Sequence, residues 1–377
     1  MNSAKDVKNI LSNVDWSFSD STASNINQIH PYPAKFIEQI PDVLLDAFGV
    51  DNNLYILDPF MGSGTTLVEA KKKGYNTVGI DLNPIAYLMT SVKTHALPDN
   101  FLSTVDKVYE KASLCLKQDK FKEISISNVK HWFSENVYRA LASLVTVIKE
   151  ADISDSSQKA LLLAVSSIVV KVSYQESDTR YAAKKNNYET EDVFKLFKEA
   201  ANKIFKAVKE SNLPDKDVKL YRESSIDFDY KDFINKVGAV ITSPPYPNAY
   251  EYWLYHKFRM EFLGYDAKKI KKQEIGTRTR YFRSKPESIK VFEQQMSNVM
   301  QMCYNVLVNK GYMAIVVGRS VIRGIEYNNA DMISKIGINL GFQKVADFKR
   351  PILTTKKSFN PKNSKINSEN VIIFQKG

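Results

Sequence analysis

Residues 54–81 read LYILDPFMGSGTTLVEAKKKGYNTVGID, and the fold follows from how this stretch changes its periodicity. Leu54-Tyr55-Ile56-Leu57 is a short apolar run of strand character that ends at Asp58. A turn bearing Gly62 and Gly64 follows, then helical spacing from about Thr66 to Lys73, stopped by Gly74. Thr77-Val78-Gly79-Ile80 is a second apolar run, and it too ends on an acid, Asp81. A strand, a helix and a second strand in this order are a βαβ unit, the opening of a doubly wound, mostly parallel α/β sheet.

Outward from that unit, helical spacing over Phe36 to Phe48 precedes it, while residues 1–29, polar and rich in Ser, Asn and Asp, read as a loosely held N-terminal arm. Residues 101–211 show long helical periodicity, including Asn136 to Glu150, Gln158 to Ser173 and Glu191 to Ser211, and predict a helical insertion. Strand character resumes at Val218 to Tyr221, at Ala239 to Ile241, at Gly311 to Gly318 and at Asn370 to Phe374. The expected organisation is therefore a catalytic domain of residues 30–100 and 212–377 interrupted by a helical block, with a basic insert over 247–300.

With 377 residues, 44% hydrophobic and 25% charged, the chain has the composition of a folded globular protein with one large domain and an insertion, or two domains. A formal charge of +11 favours a polyanionic partner. Cys115 and Cys303 have neither disulfide nor metal spacing, so no metal site is expected and a reducing compartment fits. The first residues lack the zones of a signal peptide and no apolar run reaches membrane-spanning length, which leads to the expectation of a cytoplasmic protein away from membranes.

Asp58-Pro59-Phe60-Met61-Gly62-Ser63-Gly64-Thr65-Thr66 lies at the carboxyl end of a strand, where open α/β sheets bind ligands. Its glycines admit close backbone approach, and Asp81 at the next strand end suits a ribose diol. The loop lacks the Lys of a phosphate-binding P-loop and the spacing Gly-x-Gly-x-x-Gly, so an adenosyl ligand is favoured over a nucleoside triphosphate or NAD. The second constellation, Thr242-Ser243-Pro244-Pro245-Tyr246, also follows a strand. Its chemistry suits a conjugated exocyclic amino group: the Ser243 hydroxyl and a carbonyl of the rigid proline pair accept the amino hydrogens, and Tyr246 stacks on the base. Such a base would have to be flipped out of a duplex.

These two motifs together resemble the amino-group DNA methyltransferases, the N4-cytosine and N6-adenine enzymes of restriction-modification systems. The resemblance covers about residues 30–95 and 217–377. It implies S-adenosylmethionine as cofactor, double-stranded DNA as substrate and a cognate restriction endonuclease as a possible companion. It implies catalytic roles for Ser243, Pro244, Pro245 and Tyr246, and a lean toward cytosine N4 from the Ser in first position. Asp58, Pro59, Phe60, Gly62, Ser63, Gly64, Thr65 and Thr66 match the cofactor motif, with Asp81 and Leu82 in the ribose motif and Thr242 beside the catalytic one. Lys35 and Phe36, in His30-Pro31-Tyr32-Pro33-Ala34-Lys35-Phe36, resemble the segment that folds over the methionine end of the cofactor. Where relatives carry Gly-Asp before the catalytic strand, this chain has Arg222-Glu223-Ser224-Ser225, and Glu223 is taken as the substitute adenine contact.

Two inserts remain candidates for reading DNA. One is the helical block, where Ser173 to Tyr181, including Arg180, is either a reading element or a plain interhelical loop. The other is the basic stretch with Lys271, Lys272, Arg278, Arg280 and Arg283, either a phosphate clamp or a solvated face. Competing functions are N6-adenine methylation, methylation of a guanine amino group in transfer RNA, and a catalytically silent DNA-binding module.

Overall fold

The computed structural model describes residues 1–19, 22–33, 35–178, 180–247, 251–352 and 368–377. Ala34 and Thr179, within two of the segments singled out above, and residues 248–250 of the basic insert lie outside them.

A seven-stranded sheet organises the chain. Its strands are β1 (Tyr55–Asp58), β2 (Asn76–Ile80), β3 (Val218–Tyr221), β4 (Val237–Thr242), β5 (Leu307–Gly318), β6 (Phe342–Pro351) and β7 (Ser368–Lys376). In space they run β3-β2-β1-β4-β5-β7-β6. The first five are parallel, and β7 enters antiparallel between β5 and β6. β4 is buried at all six positions, as expected of a parallel strand covered on both faces. The expected fold class therefore stands. The chain winds from β1 out to β3, then returns to β4 on the other side of β1, so the strand order reverses between β1 and β4. Open α/β sheets bind ligands at that crevice, outside the strands' carboxyl ends.

Two apolar layers cover the sheet. Leu57, Val78, Val240, Ile315 and Phe374 face the helices Ile289–Val306 and Asn329–Asn339. Ile56, Ala239, Ile241 and Ile373 face the helix Gln39–Phe48. The second layer also holds Val7, Leu11 and Trp16, and Trp16 stacks on Phe348 at 5.4 Å. Residues 4–12 are thus an amphipathic helix docked on the sheet, which corrects the expectation of a loose arm. Polar composition concealed it, because its apolar residues fall at helical spacing on one narrow face.

The helical insertion is present as Phe101–Lys117, Glu135–Glu150, Asp155–Val172 and Thr190–Ser211. Its core runs without a break into Ile85, Leu88 and Met89 of the helix Pro84–Thr94 and into Phe258 and Phe262 of the basic insert. Between the third and fourth insertion helices lies a short hairpin, Gln175–Ser177 with Arg180–Ala183, rather than a plain loop. Tyr181 of this hairpin packs on Trp132 and Phe258, with ring centroids at 4.5 and 5.7 Å.

Candidate active site

The carboxyl ends of β1, β2 and β4 deliver Asp58, Asp81 and Ser243 to one cavity at the strand-order reversal. Counted together with the open solvent at its mouth, the cavity contains about 910 Å³. Its apolar lining includes Phe36, Phe60, Met61, Leu82 and Ile275; its polar lining includes Ser63, Thr65, Asn83, Ser224 and Glu274.

The glycine loop is held from several sides. Gly62 and Gly64 have φ of 47° and 78°, the left-handed region that L side chains resist. A Cβ on Gly64 would stand 2.6 Å from Thr90 Oγ1, so the helix Thr65–Lys72 can start here only with glycine. Beneath the loop the buried Lys93 donates to Ser63 O at 2.7 Å and to Asn27 Oδ1 at 3.1 Å. Desolvation pushes the Lys93 ammonium well below its ordinary range.

Asp58 Oδ1 accepts from Thr242 Oγ1 at 2.6 Å and from Phe60 N at 3.0 Å. Burial nonetheless raises its carboxyl to about 6. Asp81 accepts from Gly62 N and Asn83 N, each at 2.8 Å, and burial raises it to about 6 as well. Two backbone donors leave lone pairs on a carboxylate that its surroundings do not fully satisfy. A carboxylate in that condition, on a cavity wall, suits a vicinal diol. Asp58 with the Ser63, Thr65 and Thr66 hydroxyls suits an amino-acid end, and Phe60, Leu82 and Ile275 suit a flat heterocycle. The residues present therefore fit S-adenosylmethionine.

Several assignments made from sequence are redistributed. Phe36, Asp58, Phe60, Gly62, Ser63, Thr65, Thr66, Asp81, Leu82, Ser243 and Pro245 line the cavity. Lys35 does not: its ammonium donates to Asn27 O at 2.7 Å and His30 O at 2.9 Å, fastening the preceding segment, and burial lowers it to about 8. Glu223 is exposed, and Ser224 and Ser225 occupy the wall in its place. Pro59, Gly64 and Thr242 support the wall from behind: Pro59 O accepts from Ser225 Oγ, Gly64 backs on Thr90, and Thr242 holds Asp58. Pro244 is absent from the lining, as is Tyr246. Tyr246 is partly buried against the apolar layer on this face of the sheet, and the aromatic lining of the cavity includes Tyr32 and Tyr252.

Tyr32 and Tyr252 stack with centroids 5.7 Å apart, and the Tyr32 hydroxyl would lie 3.2 Å from a Cβ on Gly62. The Glu274 carboxylate holds Tyr252 in place by accepting from Tyr252 N at 3.0 Å and Trp253 N at 2.8 Å. Burial raises that carboxyl to about 8. Two residues on, Gly276 has φ of 74°, and a Cβ there would meet Tyr246 C at 3.2 Å. Gln273 to Gly276 thus braces both the aromatic wall and the Ser-Pro-Pro-Tyr loop. Sequence reasoning passed over Tyr32, although it lies in a segment that was singled out. Glu274 offered a weaker signal, a single acid inside a basic run.

The proposed DNA contacts are spread over two surfaces. Arg278 lies over Phe282 at 4.9 Å and Lys271 over Trp253 at 4.3 Å. Arg280 pairs with Glu287 at 3.5 Å, and Arg283 approaches the same carboxylate at 4.0 Å. Lys272 is exposed, and its carbonyl accepts from Arg280. Arg180 is on the other surface, the insertion hairpin, in an ion pair with Glu176 at 2.9 Å.

Residues 2–91 match the family profile described as DNA methylase, so the similarity reaches into the N-terminal helix. A type II methyltransferase of Geobacillus stearothermophilus, M.BsoBI, is 27% identical over 274 residues, covering 64% of this chain and 53% of its own length. M.MvaI of Kocuria varians, also a type II methyltransferase, is 27% identical over 60% of this chain and 54% of its own. M.MjaII of Methanocaldococcus jannaschii, a third type II methyltransferase, reaches 33% identity over 45% of this chain and 31% of its own. The chain spans about half the length, or less, of the curated relatives it matches.

Proposed function

We propose, for a chain that belongs to the amino-group DNA methyltransferase family, that it transfers the methyl group of S-adenosylmethionine to the exocyclic amino nitrogen of a flipped base in duplex DNA, at N4 of cytosine. The observation that carries this reading is the convergence of Asp58, Asp81 and Ser243 on one cavity at the strand-order reversal. Ser243 in first position of the motif supports cytosine, and the formal charge of +11 supports a nucleic acid partner. A restriction endonuclease of matching site is the companion this setting implies.

When bound, the cofactor supplies an electrophilic methyl group on a sulfonium. The protein's task is to make a poor nucleophile competent. The Ser243 hydroxyl oxygen and a carbonyl of the Pro244-Pro245 pair accept the two amino hydrogens, drawing the nitrogen toward tetrahedral geometry and freeing its lone pair. Asp58, Asp81 and the glycine loop would hold the cofactor with its methyl group toward that lone pair, and the proton lost from the methylated nitrogen would pass to water. The Tyr32–Tyr252 stack supplies the aromatic surface beside the reacting groups. No covalent enzyme intermediate is needed.

The test is transfer of labelled methyl from the cofactor to unmethylated genomic DNA, followed by digestion and separation of the nucleosides. Label in N4-methylcytosine, and its near loss in Ser243→Ala, is the expected result. Label in N6-methyladenine would move the target base, and label confined to transfer RNA would replace DNA as substrate. Cofactor binding with no transfer to either nucleic acid would favour a silent binding module.

A further inference from the structure

Beyond Gly318, at the carboxyl end of β5 and beside the strand that carries Ser243, the chain doubles back as a hairpin, Ser320–Ile322 with Ile325–Tyr327. Arg323 and Gly324 form its turn with φ of 52° and 84°, the two left-handed residues that a tight hairpin turn requires. A ribbon this short does not hold its shape alone. It is fastened at both ends. Arg323 Nε donates to Tyr281 O at 3.0 Å and its Nη2 to Arg283 O at 2.8 Å. Asn329 Nδ2 donates to Gly318 O and Ser320 Oγ, each at 2.8 Å.

Anchoring of this kind would be expected to bury the apolar residues of the ribbon, and Ile322 is buried. Ile325 is not: at 60% it is the most exposed large apolar side chain among the described residues. A Cβ on the neighbouring Gly324 would meet nothing within 4 Å, so the tip stands clear. Phe282, on the segment to which Arg323 is tied, is 41% exposed with Arg278 across its ring. Around these two apolar groups lie Arg278, Arg283, Lys285, Arg319 and Arg323, against the carboxylates Glu287 and Glu326. The patch borders the catalytic loop, because Gly276, two residues before Arg278, touches the backbone of Tyr246 and Pro247.

We infer that the hairpin Ser320–Tyr327 is a DNA-engaging wedge, in which Ile325 enters the duplex beside the target nucleotide while the surrounding arginines and Lys285 take the flanking phosphates. The inference rests on the DNA methyltransferase reading above and deepens it. Exposed apolar tips on rigid ribbons lose water when they slide between base steps. Extrusion of a base opens a gap that such a tip can fill. A cationic rim around an apolar point matches a duplex, whose phosphates surround stacked bases, and a protein partner with an apolar recess would not need five cations.

The experiment compares the full chain with Ile325→Ser and Ile325→Met for methyl transfer to sheared, unmethylated genomic duplex, with cofactor affinity measured alongside. Expected are cofactor affinities within about twofold of each other, a loss of at least about tenfold in kcat/KM for Ile325→Ser, and recovery of most of it in Ile325→Met. The combined Arg283→Ala and Lys285→Ala variant should lower the slope of log binding constant against log salt by about 2. Wild-type turnover by Ile325→Ser, or Ile325→Met as slow as Ile325→Ser, overturns the wedge while leaving the methyltransferase reading intact. Absence of transfer by the unaltered chain removes that reading, and the wedge with it.

Discussion

Replacing Gly276 with alanine would place a methyl group against the loop that carries Ser243. The new Cβ would stand 3.2 Å from Tyr246 C and 3.3 Å from Pro247 N and Tyr246 O, and these are backbone atoms that no rotamer can move aside. Its φ of 74° adds the strain of a left-handed alanine, roughly 1–2 kcal/mol. Relief of the contact requires Tyr246 and Pro247 to retreat by a few tenths of an ångström, and the shift passes along the stiff Pro244-Pro245 pair to Ser243. A misplacement of about 1 Å at reacting atoms can cost about 100-fold in rate, so a third of that displacement predicts a fall of about tenfold or less in the chemical step. Gly74→Ala is the matched control: its φ of 82° carries the same strain, while its nearest neighbour would be Lys216 Cε at 3.9 Å. Single-turnover transfer at saturating cofactor, together with thermal midpoints, separates the two. Both variants should lose the stability that a left-handed alanine costs, Gly276→Ala somewhat more because of its contact with Tyr246 and Pro247, and Gly276→Ala alone should lose rate by more than about threefold. Equal single-turnover rates in the two variants would refute the claim that Gly276 sets the position of the catalytic loop.

Asp81 is raised to about 6, so as pH falls through that value its carboxylate takes up a proton and becomes a poorer acceptor for the ribose hydroxyls it is proposed to bind. Cofactor affinity should therefore weaken below pH 6 by up to about tenfold per unit, and Asp81→Asn should retain only the part due to Asp58, measured by calorimetry. An unchanged pH profile in that variant would exclude Asp81 as the acceptor. Thr242→Val removes a charge-assisted hydrogen bond to Asp58, which should cost about 1.5–3 kcal/mol in denaturant unfolding. The loss should also raise the Asp58 carboxyl further, and a stability equal to wild type would show the bond to be dispensable. Ionisation of Glu274 as pH rises through about 8 makes it a full acceptor for both Tyr252 N and Trp253 N. The transfer rate should thus gain a step near pH 8 that Glu274→Gln lacks, and a step of the same height in the variant would remove Glu274 from the rate-determining geometry.

Local sequence carried the βαβ unit, the acids at the ends of β1 and β2, and the strand that leads into Ser243. Each of these is written within a few consecutive residues, as an apolar run, a glycine turn or a proline pair, and so is legible without knowing what lies across the sheet. β6 escaped because an edge strand needs only one apolar face, and Phe342–Pro351 alternates with Lys, Asp and Arg. Residues 4–12 escaped because their docking is a property of a helix face and not of composition. In the site, the tertiary structure alone decided that Lys35 turns toward Asn27 and His30, that Ser224 and Ser225 rather than Glu223 line the wall, and that Tyr32 and Tyr252 stack beside it. The same holds for Glu274 and for Ile325, whose surroundings are assembled from loops far apart in the chain. Which loops meet above the strand ends depends on the strand order and on the space left by the insertion, and those are settled by packing over the whole sheet rather than by any residue's immediate neighbours.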